Sequence, residues 1–491
     1  MKTPAIAVLD VGKTNKKVRL YDRAFQVLGE ERTTVEPKDL DGLEVEDTAA
    51  LLGWFREALA TLARDAEVRA IAITTHGATF ALLDEDGGLA HPVISYTAEK
   101  GAEVQEAFYE TFGDRQTLHR ATCTPDVGFA NMAKVLYFVK TRRPEAYANV
   151  RHALFYGPYL GYELTGQMGC EPTFVGNHTY FWDFAGKTWS AVAKALGADR
   201  FFPAPTANSW ECLGPVKAEL AAACGLPEDC KVSLGIHDSN ANLLPYLAQG
   251  YGNFMLNSTG TWCVLMRPSE THALTDAEVD AKVFFNLDAL GRPVKTAIFP
   301  AGMEYDTFGG FTDLEDQSDA ATVRAVIEKK TLFVMPGVLP DASAFPGATP
   351  RVVNGDVVHP LDALQKAGTP LTDLGQAYYG ALNVALALAT RKMLAACGVE
   401  QGTTVLIEGG FANNTTYCQL LATLCPDQTF ALTDVKEGTS FGAALTAWMA
   451  AEGLTLEEIG REFAIGTTDV AAQDFGDLAA YEAAFNRLTA A

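Results

Sequence analysis

Asp10-Val11-Gly12-Lys13-Thr14-Asn15-Lys16-Lys17 is the stretch on which the reading of this chain turns. It follows the apolar run Ala5–Leu9 and leads into Val18-Arg19-Leu20-Tyr21, so the pattern predicts two strands around a glycine-bearing turn. Gly12 lets the backbone come close to a ligand, Thr14 offers a hydroxyl, and Lys13, Lys16 and Lys17 bring positive charge. Backbone N–H groups in such a turn can hold phosphate oxygens. That makes Gly12, Lys13, Thr14, Asn15 and Lys17 candidate phosphate contacts. Asp10, at the strand end, suits a hydrated magnesium ion, which takes one or two carboxylates plus water and phosphate. A surface hairpin with solvated lysines would account for the same residues. Neither Gly-x-x-x-x-Gly-Lys-Ser/Thr nor a helix-opening Gly-x-Gly-x-x-Gly is present, so a P-loop and a Rossmann fingerprint are both excluded.

Outward from this turn, Leu51, Leu52, Phe55, Leu59 and Leu62 recur at helical spacing. The β-branched run Val68–Thr75 then stops at His76-Gly77, and the order indicates a mixed α/β domain. About 248 residues after the first turn the pattern returns: Asn253–Leu256, then Asn257-Ser258-Thr259-Gly260-Thr261, then Trp262–Met266. Two related halves are expected. Ser258, Thr259, Gly260 and Thr261 form a second candidate phosphate turn, with an ordinary hairpin as the bland alternative.

Two further junctions carry chemistry. Gly235-Ile236-His237-Asp238-Ser239-Asn240 lies between the apolar Val232–Leu234 and the helix-like Ala241–Leu247. Asp238 there could take a proton from a hydroxyl; alternatively it caps the helix. Glu408-Gly409-Gly410-Phe411-Ala412-Asn413-Asn414 follows the predicted strand Thr404–Ile407, and its adjacent glycines let backbone approach a flat ring or ribose. The stretch from Pro336 to Asp356 reads as loop, residues 374–394 and 440–449 as helices, and the tail after Gly453 as helical.

At 491 residues, two or three domains are expected. With 61 acidic against 38 basic residues the net charge is −23, so nucleic acid and anionic membranes are poor partners. An anionic ligand needs local donors or a metal ion. The nine cysteines include no Cys-x-x-Cys pair, and Cys224 and Cys230 lack a matching histidine set; a reduced, cytosolic protein without a zinc site is expected. Met1–Leu9 is too short for a signal-peptide core, and no apolar run approaches the roughly 20 residues of a membrane span. The protein is expected to be soluble and cytoplasmic.

Taken in order, these pieces resemble the FGGY carbohydrate kinases. Asp10–Lys17 is similar to their first phosphate loop, Gly235–Asp238 to their catalytic segment, and Ser258–Thr261 to their second phosphate loop. Gly409, Gly410, Ala412, Asn414, Gln419 and Ala422 fall at the spacing of their adenosine segment, and Glu437–Ala444 resembles their closing helix. Within the family the rhamnulokinases look nearest, through Thr75–Asp84, Pro92–Tyr96 and the histidine before the aspartate. His76, Thr79 and Thr97 stand where those enzymes carry tryptophan, aspartate and arginine, which leaves the sugar open. Lys13 takes a small-residue position, Phe411 replaces a glycine, and Thr423 an aspartate.

The resemblance implies an α/β protein of two actin-like (ribonuclease H-type) domains with an ATP/sugar cleft between them. The domains would be residues 1–245 and 246–455, followed by a helical tail, 456–491. It implies ATP and Mg²⁺ as cofactors, Asp238 as general base, Asp10 on the metal, and Gly409, Gly410, Phe411, Asn413 and Asn414 at the adenosine. His76, Gly77, Tyr96, His237, Asp238 and Asn240 are the sugar-side candidates. A ketose such as L-rhamnulose is the expected acceptor. Another acceptor (pentulose, L-fuculose, aldose or polyol), an actin-like ATPase without acceptor, and a sugar-binding protein are the alternatives. The oligomeric state stays open, with a homodimer among the alternatives; the 336–356 loop would be a lid or a dimer contact.

Overall fold

The computed structural model describes residues 2–489. The chain forms two compact units, each interrupted in sequence. The first gathers the chain up to Tyr251 with Pro268–Lys295 and Glu437–Ala464; the second gathers Gly252–Arg267, Thr296–Lys436 and the chain from Ile465.

In the first unit, strand Thr3–Val11 pairs antiparallel with Asn15–Asp22 and parallel with Ala66–Thr75. The sheet runs Cys212–Pro215, Lys231–Ser233, Ala66–Thr75, Thr3–Val11, Asn15–Asp22, Val27–Thr34. Its central strand is buried on both faces, because side chains alternate. Ala5, Ala7, Leu9 and Val11 pack with Leu51, Leu52, Phe55 and Leu59 of helix Thr48–Leu62, while Ile6 and Val8 pack with Leu244, Ala444 and Trp448. Asp47 caps the helix by accepting from the Ala50 N–H. Residues 80–202 add a second core built on Phe108, Leu136, Phe155, Phe174 and Phe202.

The second unit repeats the order. Strand Phe254–Thr259 pairs antiparallel with Cys263–Pro268 and parallel with Thr404–Gly409, and Thr404–Gly409 pairs parallel with Thr429–Thr433. Pro293–Phe299 lies beyond Cys263–Pro268 on one side, and Thr467–Asp469 closes the other. In both sheets a hairpin strand is flanked by two successive parallel strands and then an antiparallel edge. This is the ribonuclease H-type order, and the chain has the expected two-domain, actin-like α/β fold.

Three features differ from the sequence reading. Helix Gly438–Glu452 belongs to the first unit, packed on helix Asp238–Ala248. A Cβ at Gly442 would lie 1.8 Å from the Ala241 carbonyl oxygen, so the two helices meet only because residue 442 has no side chain. The units are therefore interleaved rather than consecutive. The tail is not all helix: Thr467–Asp469 pairs with Thr429–Thr433 before helix Leu478–Thr489. The 336–356 stretch is loop only in its first part, since Arg351–Asn354 pairs with Leu332–Met335 and buries Val352 and Val353. No helix among the described residues is long and apolar enough to cross a membrane.

Gly442→Ala should destabilise the first unit by about 1–3 kcal/mol, the usual penalty of overpacking. A thermal melt reads this as a midpoint several degrees lower; an unchanged midpoint would mean the helices are not in the close contact described.

Candidate active site

The pairing of Thr3–Val11 sets Asp10 at the strand end, opposite Lys17. Asp10 is nearly buried, and its Oδ2 accepts a hydrogen bond from Ser440 Oγ at 2.7 Å. Lys17 Nζ stands 4.0 Å from the same oxygen and donates to Glu437 at 2.6 Å. Burial pushes the Asp10 carboxyl above its ordinary value, and Ser440 and Lys17 draw it back. Its Oδ1 makes no hydrogen bond among the described residues. That leaves one carboxylate oxygen for the water shell of a cation, which fits Mg²⁺ better than ions that need an all-protein cage. No cluster of three or more potential metal ligands occurs among the described residues.

The turn lysines are committed elsewhere. Lys16 folds back and donates to the Lys13 carbonyl at 2.6 Å. Lys13, a candidate phosphate contact by sequence, instead sends its ammonium to Glu44 (2.8 Å), Glu46 (3.2 Å) and Ser95 (2.5 Å), above the Tyr96 ring. Thr97 also donates to Glu44. Lys13 and then Thr97 hold the Glu44 carboxyl down to about 2. What the turn still offers is backbone: Gly12 N–H is used by the Asn15 carbonyl, while the N–H groups of Lys13 and Thr14 make no hydrogen bond among the described residues.

Asp238 is the first residue of its helix, and the N-cap is His237, which makes no side-chain cap bond. The helix-cap alternative therefore does not describe Asp238. Its side chain is 36% exposed and accepts from the Ser239 N–H at 2.6 Å. Burial raises the pKa of this partly exposed carboxyl; the nearby His76, when protonated, and the Ser239 bonds oppose the rise. His76 is buried and pushed towards its neutral form. Its Nδ1 lies 3.1 Å from the Gly77 carbonyl, and its ring lies 5.0 Å from Tyr96 and 5.4 Å from Tyr156. A Cβ at Gly77 would come within 2.7 Å of His237 Nε2. The structure thus brings His76, Gly77, Tyr96, His237 and Asp238 together. Asn240 is buried on the same helix, with neither amide atom hydrogen-bonded.

Glu44, Glu46, Ser95, Asn177 and Ser440 were not singled out by sequence reasoning. Ser95 and Ser440 fell inside the segments Pro92–Tyr96 and Glu437–Ala444 without a role of their own, and Glu44 and Glu46 show only an alternation in Leu43-Glu44-Val45-Glu46. The partners of Ser95, Asn177 and Ser440 are too distant in sequence for any periodicity to register.

In the second unit a cavity of about 510 Å³ is lined by Gly260, Gly302, Tyr305, Asp306, Asp316, Ser318, Gly410, Phe411 and the run Asn413–Thr416. Its walls depend on missing side chains. A Cβ at Gly302 would lie 2.0 Å from the Gly260 carbonyl, and one at Gly409, whose φ is +82°, 1.9 Å from that of Thr259. Thr259, a candidate phosphate contact, spends its hydroxyl as a brace, donating to the Glu408 carbonyl and accepting from the Phe411 N–H at 3.0 Å. Asn414 caps helix Thr415–Leu424 and donates to Asn383 at 2.9 Å. Phe411 is clamped between Tyr417 (4.7 Å, stacked) and Tyr305 (5.6 Å, edge-on). A cavity of this size and mixed lining suits a nucleoside-sized ligand.

Comparison with known proteins agrees with this geometry. Residues 5–245 match the N-terminal domain of the FGGY family of carbohydrate kinases, and residues 251–455 match the C-terminal domain of the same family. An L-fuculokinase from Escherichia coli O157:H7 is 24% identical over 91% of this chain and 93% of its own. A rhamnulokinase from Enterobacter sp. (strain 638) is 26% identical over 52% of this chain and 50% of its own. The crystal structure of a carbohydrate kinase from Novosphingobium aromaticivorans superposes with a TM-score of 0.81 at 26% identity, covering 100% of this chain and 98% of the other.

One carboxyl beside the cavity yields a test. Glu304 is buried on helix Ala301–Gly309; Oε1 accepts from the Gly337 and Val338 N–H groups, and Oε2 has no partner. Burial raises its pKa to about 7 from 4.5. The unfolded chain therefore ionises first, and stability present below pH 4.5 should be lost as pH rises towards 7, by a few kcal/mol. Denaturation across pH 4.5–8 should show this decline in the wild type and a flatter profile in Glu304→Gln. Identical profiles would place the titration elsewhere.

Proposed function

The chain belongs to the FGGY family of carbohydrate kinases, and from that premise we propose that it phosphorylates a hydroxyl of a neutral ketose of the L-fuculose or L-rhamnulose type, with Asp238 as general base. It is an ATP-dependent kinase of a small sugar; the acceptor and the residue roles are our reading. The observation that carries the base assignment is the partly exposed Asp238 carboxylate, its pKa raised by burial, at a helix start beside His76 and His237.

In this reading the acceptor hydroxyl gives its proton to Asp238 as its oxygen attacks the γ-phosphorus. The bond from that phosphorus to the β,γ-bridging oxygen breaks, and ADP leaves. Such a transfer asks mainly for positioning and charge neutralisation. The N–H groups of Lys13 and Thr14 and the Ser258–Thr261 turn would hold phosphate oxygens, and the cavity walled by Gly410 and Phe411 would take the adenosine. Asp10 would hold the hydrated Mg²⁺, which when bound offsets phosphate charge.

Support for a neutral acceptor comes from Lys13, Glu44 and Glu46. The Lys13 ammonium is taken up by Glu44 and Glu46 beside Tyr96, with Lys16 close to Glu46, so the cluster leaves no net positive charge there. A sugar acid would find no surplus cation to pair with, whereas hydroxyl groups find acceptors. The L-fuculokinase relative matches over nearly the whole chain and the rhamnulokinase over half, so those two ketoses head the substrate panel. None of the nine cysteines, all among the described residues, forms a disulfide, in keeping with a reducing cytoplasm.

ADP release should be measured with ATP and Mg²⁺ against L-fuculose, L-rhamnulose, xylulose, aldoses and polyols. One strong acceptor is expected, and Asp238→Asn should lower its turnover by about 10²–10⁴ while nucleotide affinity holds. Full turnover in that variant would remove Asp238 from the base role; a sugar acid as best acceptor would overturn the substrate class.

A further inference from the structure

Residues 171–180 comprise the one-turn helix Pro172–Val175, capped by Glu171, and a following loop with two residues in an unfavourable backbone conformation. His178 and Tyr180 both have positive φ, 55° and 56°, a region that residues with a Cβ rarely enter. Strain of this kind persists where surroundings over-determine it, and it clusters at functional sites. The same segment also touches the residue before the proposed base, through Thr173 and Asn177.

Glu171 is fully buried and accepts from the Thr173 and Phe174 N–H groups, from Ser209, and from Thr173 Oγ1 at 2.6 Å. Thr173 Oγ1 in turn accepts from the His237 N–H at 2.9 Å. At the far end of the loop, Asn177 Nδ2 stands 2.7 Å from His237 Nε2. One short segment, a helical turn and the loop after it, therefore contacts both the backbone and the ring of His237.

An amide NH₂ only donates, so Nε2 must be the acceptor, and a neutral ring then carries its proton on Nδ1. Nδ1 lies 3.3 Å from Asp238 Oδ1, within ion-pair distance, and makes no hydrogen bond in this geometry. The opposite amide orientation would need the proton on Nε2 and would turn the Nδ1 lone pair on the carboxylate, which electrostatics disfavours. Burial keeps His237 neutral, lowering it to about 3. Phe174 sits edge-on to its ring, and Gly77 leaves room beside Nε2. The charged or titratable groups around this pair are His178, His76, Asp10 and Tyr96.

We propose that Asn177 is a positioning residue that fixes His237 as the Nδ1–H tautomer and so sets the positive end of that N–H dipole 3.3 Å from the Asp238 carboxylate, favouring one orientation of it for the acceptor hydroxyl. This rests on Asp238 as the base. The same bond also explains why a neutral histidine can stand against a carboxylate without a proton being shared between them.

Ring-¹⁵N histidine labelling reads the tautomer directly, and His237→Gln identifies which of the eight histidine signals is the relevant one. The wild type should show Nδ1–H. Asn177→Asp offers Nε2 only an acceptor and should move the proton to Nε2, with kcat falling by about 10–100-fold and KM for ATP unchanged. Asn177→Ala should give mixed tautomers and a smaller kcat loss, which a merely structural role would not order in this way. Nε2–H in the wild type, an unmoved proton in Asn177→Asp, or a moved proton with intact kcat would each overturn the proposal. The wild-type tautomer needs no variant and no substrate. Silence of the wild type across the sugar panel would instead count against the acceptor reading, leaving the tautomer result to decide the relay.

Discussion

The first unit depends on a single close approach. Helix Gly438–Glu452 can lie against Asp238–Ala248 only because Gly442 presents bare backbone to the Ala241 carbonyl. From that contact the rest follows. Ser440 reaches Asp10, Glu437 reaches Lys17, and Ala443, Ala444 and Trp448 fill the sheet face opposite helix Thr48–Leu62. The helix arrives from some 190 residues downstream of its partner and is fixed there by Lys231, which donates to the Ala450 and Ala451 carbonyls at its far end. A buried carboxylate, a strained Glu437 at φ 53° and a helix start carrying Asp238 are thus held by one packing decision. Strain and buried charge are tolerable where the surrounding core leaves no alternative arrangement.

Electrostatics sharpens this. In a chain of net charge −23, the first hairpin concentrates three lysines within five positions, yet none points freely into solvent. Lys13 is bound by two glutamates, Lys16 by the turn's own carbonyl, and Lys17 by Glu437. Their charge orders protein groups first. An anion approaching the turn would meet backbone N–H donors and a positive potential already partly neutralised by protein carboxylates.

Much of this was legible in the sequence, and for identifiable reasons. The hairpins at Asp10–Lys17 and Asn257–Thr261 are local, and apolar runs around a glycine-bearing turn announce them. The Gly409-Gly410 loop declared itself because glycine is needed where φ is +82° and the Thr259 carbonyl is close. Ser440, Asn177 and the destination of Lys13 were not legible. Each depends on a partner brought near by tertiary packing, 430, 60 and 31 residues away. The strand Arg351–Asn354 was hidden for a different reason: the Pro- and Gly-rich residues before it dominate the composition, while only Val352 and Val353 carry the burial.

The duplicated sheet shows how one scaffold is turned to two tasks. In each unit a strand ends beside a parallel neighbour, Asp10 next to Thr74 in one and Ser258 next to Glu408 in the other. In the first, the strand end is a charged corner, with Asp10 held by Ser440 and Lys17 close by. In the second, the charge at that position is gone, and Thr259 spends its hydroxyl bracing the Glu408–Phe411 backbone. Gly302 and Gly409 then bring bare backbone against the hairpin turn, and Phe411 is fixed between two tyrosine rings. One strand end carries a buried, charged corner, the other a braced backbone beside a cavity lined by glycine and aromatic residues. Because the sheet order is common to both, the division lies in the residues at the strand ends, and the fold alone could not have told them apart.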